Sequence, residues 1–415
     1  MRNVIAACLL VLVTAPSQGT PSVPGAKGAP QDSVAARLRI FQVESLRQIP
    51  QGERAQAFGQ YVLAVRAALE AGHHGRATLL ADRACNFWKR YRRPLLHLAA
   101  AQLGSNLWGP SISSARQAAE ARDDDMPPPR RDDESDAAPA YWEGVALYAT
   151  QRYDEALPRL RAAVEAAPDW AEAARALGEA AFVAGLSQEA ALAYAAAFRL
   201  DPRVGSARDL SYYAETKATD GDLESAIAAL QEALRRSPYE PGLHANLAHL
   251  LQREDNLTDA YYHYTLELLV HGYDGSFAKK ALAAAGSILA KVGNQENHPN
   301  RHELLLISSG MEDLQEGDAH RAVHTLEHAA RISRTPTAVP RFLLAQALLR
   351  GGNAQAAREQ IEQLLDFEPD FVPALVLLAE ALRALGERQE AQTTVERAYD
   401  LFPAYWMLRP ENIRG

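Results

Sequence analysis

Three histidines, His320, His324 and His328, fall four residues apart in one helical stretch. Side chains at that spacing project from one helix face, and a pair of neutral imidazoles placed so can share a transition metal. All three cannot reach one ion from a straight helix, because the outer two stand about 12 Å apart along the axis. The stripe therefore reads as a solvated polar face with at most adventitious metal affinity. His302-Glu303 opens like a zinc-peptidase signature, yet Leu306 stands where the second histidine belongs. No Gly-rich phosphate loop and no Gly-x-Ser-x-Gly elbow occurs. The residue types thus nominate no catalytic residue, no metal ligand and no cofactor, and a hydrolytic or metal-dependent enzyme built on His320 and His324 is the weakest of three readings.

Other reactive-looking groups have plainer roles. Asn256-Leu257-Thr258 matches a glycosylation sequon, but it opens a helix, where Asn256 serves as an N-cap. In Tyr261-Tyr262-His263-Tyr264, helical spacing sends Tyr264 into a core and leaves the others partly exposed. Cys85 sits in a helical pattern and reads as a small buried filler.

The 415 residues carry a formal charge of −9, too acidic a balance for nucleic acid, whose phosphates demand concentrated Lys and Arg. Residues 1–19 read as a cleavable secretory leader: Arg2, the apolar run Val4 to Val13, then small residues ending at Gly19. Ten apolar residues are too few to span a bilayer, which takes roughly 20, so no integral membrane segment is expected after cleavage before Thr20. The expected location is the periplasm or the exterior of a bacterium. Only Cys85 remains after that cleavage, so no internal disulfide can form.

In order, the chain divides into the leader (1–19), a Pro/Gly/Ser-rich tether (20–31) and an irregular helical region (32–122). A charged, Pro-rich linker (123–139) follows, then regular units (140–272), an interruption of one helix and a polar loop (273–301), further units (302–403) and a tail (404–415). Ala55 to Ala71, Ala77 to Ala84, Pro94 to Gly104 and Ser111 to Arg122 are helical patterns of the irregular region.

The regular units share one plan. Gly144, Ala156, Leu160, Ala163 and Pro168 recur 34 positions later as Gly178, Ala190, Tyr194, Ala197 and Pro202. A small residue followed 12 positions later by proline appears again as Ala226/Pro238, Ala357/Pro369 and Ala391/Pro403. Turn glycines Gly185, Gly221, Gly352 and Gly386 precede four of these alanines by five residues. Each unit is two helices whose apolar stripes one unit cannot bury alone, so neighbours must stack.

This pattern resembles the tetratricopeptide repeat, over about Ala137 to Pro403 and more loosely Ala55 to Arg122. The family's early Trp is missing throughout, and two units lack the closing Pro. The resemblance implies an all-α, right-handed α-solenoid whose first helices line a concave groove for a protein or peptide. Carried over, its register places Tyr141, Val145 and Tyr148 in that lining, then Glu172, Arg175, Glu179 and Phe182, then Arg208, Ser211 and Glu215. His249 and Arg253 follow, and later Phe342, Gln346, Arg350, Glu380 and Arg383. The Lys and Asn clamp of chaperone-binding members is absent, since Tyr141, Val145, Arg175 and Glu179 stand at those places. The function implied is a non-catalytic interaction scaffold in the cell envelope. The second reading is an assembly factor on an envelope export or secretion machine, such as polysaccharide export.

Overall fold

The computed structural model describes residues 54–88, 91–121, 135–271, 276–333 and 338–403. The expected leader, the tether, the first residues of the irregular helical region, most of the charged linker and the tail lie outside the described residues. Those described form nineteen helices and no strand, and the chain divides into two compact units, one up to Asp220 and one from Gly221. No described helix is long and apolar enough to cross a membrane.

The first unit is built from helical hairpins. Helices α1 (Arg54–Glu70) and α2 (His74–Phe87), α3 (Arg92–Gly104) and α4 (Trp108–Glu120), α5 (Ala138–Ala149) and α6 (Tyr153–Ala166), and α7 (Ala171–Val183) and α8 (Ser187–Leu200) pair in turn. Helix α9 (Ala207–Thr219) closes the unit. Alanine lets these hairpins form: Ala77, Ala81, Ala84, Ala156 and Ala190 expose nothing, because their second helices lie against the first with room only for a methyl group. The first helices also touch one another, α5 on α7 and α7 on α9. Replacing Ala190 by Leu overpacks the α7–α8 hairpin and costs about 1–3 kcal/mol. Thermal melts of the two proteins test this, and an unchanged midpoint rules out the tight hairpin seam.

Each hairpin turn needs one left-handed residue. Gly185 supplies it between α7 and α8 at φ +78°, but Gln151 holds the same conformation between α5 and α6 at φ +62°. The repeat's turn is thus imposed by the packing of its helices, even where the residue lacks glycine's freedom. Helices α6 and α8 each end two residues before their proline, Pro168 and Pro202, which cannot donate the amide a further turn requires. Cys85 is half-buried on α2, packed against the main core of the unit, and its thiol is pushed up to about 12 by burial and then by Asp82.

The second unit holds α10 (Leu223–Arg236), α11 (Leu243–Arg253), α12 (Leu257–His271), α13 (Ser276–Gly293), α14 (Arg301–Glu316), α15 (Ala319–Ile332), α16 (Ala338–Arg350), α17 (Ala354–Leu365), α18 (Val372–Leu385) and α19 (Arg388–Leu401). Its hairpins are α11–α12, α14–α15, α16–α17 and α18–α19. Helix α13 occupies the interruption expected between Gly272 and Arg301 and packs on α12 and α14. Asn256 caps α12, accepting from the Asp259 amide at 3.4 Å. Because α12 is covered by α11, α13 and α16, Tyr261 and Tyr262 are buried along with Tyr264, where the sequence alone suggested partial exposure. The Tyr262 hydroxyl donates to Glu303 at 2.5 Å.

A long-range contact ties the beginning of this unit to its end. Tyr239, in the segment joining α10 to α11, donates its hydroxyl to the Asp370 carbonyl and accepts the Val372 amide at 2.9 Å. Its ring stacks on Phe402 with centroids 5.0 Å apart and planes 16° apart. Tyr239 thereby joins the small core of the last hairpin, formed by Val372, Leu375, Val376 and Ala398.

Candidate functional site

The first helices of the first unit converge on a buried ionic cluster. Arg175, in the middle of α7, donates through Nη1 to Glu179 Oε2 at 3.1 Å and to Asp209 Oδ1 at 3.0 Å. Glu179 lies one helical turn on from Arg175, and Asp209 comes from the first turn of α9. Tyr148 of α5 adds its hydroxyl to Glu179 Oε1 at 3.1 Å, so three consecutive first helices share one network. Asp209 is fixed from behind: its Oδ2 accepts from the Ser206 amide at 2.7 Å and the Ser206 hydroxyl at 2.8 Å, closing a capping box on α9. Gly205 makes the close approach possible. It is left-handed at φ +86°, and a Cβ there would sit 3.1 Å from both Arg175 Cδ and Asp209 Oδ2.

Burial dominates the electrostatics. Arg175 exposes 4% of its surface, and Glu179 and Asp209 are buried with it. Desolvation acts most strongly on Arg175 and opposes its charge, but Asp209 and Glu179 outweigh it and hold the guanidinium protonated. Glu179 is raised above the usual carboxylate range, first by desolvation and further by Asp209, with Arg175 opposing. Burial and then Glu179 likewise raise the Tyr148 phenol. Arg175 Nη2 and the Tyr194 hydroxyl are buried without hydrogen-bond partners.

The same three first helices carry half-buried aromatic side chains, the aromatic ridge of the first unit. Phe182 of α7 stacks on Tyr212 of α9, centroids 4.3 Å apart and planes 17° apart, and Tyr148 of α5 is half-buried beside Glu179. Glu172 and Glu215 are exposed, and Arg208 and Ser211 half-exposed, on the same helices. The residues singled out from the repeat register therefore fall into two groups. Tyr141, Val145, Arg175 and Glu179 are buried among the helices, whereas Tyr148, Phe182, Arg208 and Glu215 reach the surface of the first unit. In the second unit His249 and Arg253 are exposed on α11 and Arg350 and Arg383 on α16 and α18, while Phe342 is buried against Phe371 and Gln346 and Glu380 are half-buried.

The repeat register passed over Asp209 and Tyr212. Arg208, Ser211 and Glu215 stand 36 positions after Glu172, Arg175 and Glu179, and on the same offset Asp209 and Tyr212 match Ala173 and Ala176, buried core alanines of α7. The signal that locates Asp209 is the Ser206-x-x-Asp209 capping pair just before α9. His320 and His324 are exposed on α15, and His328 is half-buried edge-on to His302 at 5.1 Å. Among the described residues no group of three His, Cys, Asp or Glu side chains is placed to hold a metal ion.

The sequence pattern of the tetratricopeptide repeat family matches residues 141–204 and 342–406, one stretch in each unit. No curated protein matches the chain. Among solved structures it is similar to YrrB, a TPR protein with an unusual peptide-binding site, at 20% identity over 45% of this chain and 89% of that one, with a TM-score of 0.33. It is similar to TTC0263, a thermophilic TPR protein of Thermus thermophilus, at 19% identity over 48% of this chain and 99% of that one, TM-score 0.31. The TPR domain of P58(IPK) is 16% identical over 82% of this chain and 92% of that one, TM-score 0.26. The family's pattern in both units, on a framework that is helical throughout the described residues, shows that the chain carries tetratricopeptide repeats at 141–204 and 342–406.

Proposed function

We propose that this chain is an exported, non-catalytic scaffold that binds a protein or peptide across the first helices of its first unit. One observation carries the reading: three neighbouring first helices present half-exposed aromatics, Tyr148 anchored by Glu179 of the buried Arg175–Glu179–Asp209 network and Phe182 stacked on Tyr212. Aromatic side chains supply contact area at low entropic cost, and a ridge that is ordered before binding loses little freedom on docking. Glu172 and Glu215 give the rim its polar, water-facing character. The apolar leader supports placement in the cell envelope, and docking on an export or secretion machine is the more specific role within that reading.

A photo-crosslinking residue in place of Phe182, used in the native host, tests the proposal, with the same probe in place of the exposed His324 as control. A discrete adduct at Phe182 alone is the expected result, and its mass identifies the partner. A co-captured outer-membrane porin assigns the partner to an export machine. Adducts from both positions alike, or from neither, overturn the ridge as the working surface.

A further inference from the structure

Two histidines face each other at the root of the segment that carries Tyr239. His244, at the start of α11, and His263, in the middle of α12, bring their Nδ1 atoms to 2.9 Å with rings stacked at 5.2 Å. At that separation one nitrogen donates and the other accepts, so the accepting ring must be neutral. A proton on the accepting nitrogen turns a hydrogen bond into two opposed N–H groups. The Pro238 carbonyl, one residue before Tyr239, also faces the His244 ring, which links the pair directly to the segment.

We propose that the His244–His263 contact is a proton-operated latch, releasing the Tyr239 segment from the last hairpin of the second unit when the solution turns mildly acid.

The surroundings offer little to compensate a charge on the pair. His271 Nε2 is buried without a hydrogen bond, 3.9 Å from Glu267 Oε1. Glu267 is occupied: its two oxygens accept the Gly242 amide at 2.9 Å and the Ala245 amide at 3.2 Å, holding the start of α11. Asp259 favours a charge on His263, and Glu240 favours one on His271. Charged groups of the neighbouring helices are engaged elsewhere. Arg235 and Arg236 of α10 pair with Glu232, Lys291 of α13 with Asp255, and Arg350 of α16 with the Leu314 carbonyl, while Lys279 and Lys280 of α13 are exposed.

Burial, then the charges of His263 and His271, push His244 down to about 3, against the pull of the Pro238 carbonyl. Burial pushes His263 down to about 4, with Asp259 opposing. Rings released to water take up protons near the ordinary value of about 6.5. A depressed folded value means that the closed state is favoured fully above about 6.5 and loses ground as pH falls toward 4. Below pH 6 the opening constant therefore rises roughly tenfold per pH unit for each released ring, and about a hundredfold when both are released.

Hydrogen exchange of the full chain between pH 7 and pH 5, corrected for intrinsic rates, tests the latch. The Val372 amide, which the Tyr239 hydroxyl accepts, is expected to lose at least tenfold protection from pH 6 to pH 5, together with residues 239–244. Amides in the middle of α16 and α17 are the internal reference and stay protected. A variant with His244→Gln and His263→Gln, which keeps hydrogen-bonding groups but cannot titrate, is expected to show a flat profile, and Tyr239→Phe an unprotected Val372 at every pH. Protection of Val372 that ignores pH overturns the proposal. So does protection lost equally across the unit, since the pair is then only a site of acid unfolding. If the double variant does not fold, imidazole resonances of the wild-type protein decide: His244 and His263 titrating near 6.5 in the native state exclude the latch.

Discussion

Arg175→Met is expected to destabilise the first unit by about 3–5 kcal/mol, the characteristic cost of removing one partner from a buried ionic group. The methionine fills much of the same volume, so the loss is electrostatic: Glu179 and Asp209 are left buried with no cation between them. Four of the five tryptophans, Trp88, Trp108, Trp142 and Trp170, belong to this unit, so denaturant unfolding followed by tryptophan emission reads the effect where it occurs. Arg175→Lys recovers only part of the loss, because an ammonium on a flexible stem cannot span two carboxylates as the guanidinium does. Adding Glu179→Gln to the methionine variant recovers stability by removing one stranded charge. The pH dependence has a definite sign. Glu179 holds its proton above the usual carboxylate range, so neutralising it favours the folded state below about 4.5, and that contribution fades as pH rises. The deficit of Arg175→Met is thus smaller at pH 4.5 than at pH 8. A cost below 1 kcal/mol at neutral pH shows that water reaches the cluster.

Glu267→Ala is expected to cost the second unit about 3–5 kcal/mol, from two charge-assisted hydrogen bonds worth about 1.5–3 kcal/mol each. Glu267 is fully buried, and its two oxygens serve the Gly242 and Ala245 amides. Helix α11 has no side-chain cap of its own, since its N-cap is Gly242, left-handed at φ +86°. A buried carboxylate from the paired helix therefore takes the place that Ser206 fills on α9 and Asp222 on α10. Burial raises the Glu267 carboxyl, and the two backbone amides oppose that shift. Glu267→Gln retains one acceptor for two donors and is expected to lose about half as much. Differential scanning calorimetry that leaves every transition of Glu267→Ala within a degree of the parent contradicts this account of the cap.

Periodicity carried most of the architecture. The 34-residue spacing, the alanines at the hairpin seams and the prolines after the second helices placed α5 to α8 and α16 to α19 within a few residues. Local rules reached Asn256 as a cap and the helix that fills the interruption. What the pattern did not carry was the depth of each first helix. A repeat register says which side of α7 faces inward, but Arg175 and Glu179 are buried because α5 and α9 close over them, a contact between residues far apart in sequence. Asp209 escaped for a related reason: its match on α7 is Ala173, a buried core position, so the register marks that place as filler and not as lining. The Tyr239 contact spans 131 residues and leaves no periodic trace.

The thiol of Cys85 carries a consequence for handling and traffic. Only the thiolate attacks a disulfide, and a value of about 12 in place of 9.0 lowers the reactive fraction at neutral pH roughly a thousandfold. Exchange with glutathione or with an oxidoreductase's mixed disulfide slows as well, but by less than that, because the more basic thiolate is the better nucleophile. While α2 stays folded, Cys85 is captured as a covalent dimer or a glutathione adduct more slowly than an exposed thiol. Alkylation by a maleimide at neutral pH then becomes a clock for the unfolding of α2.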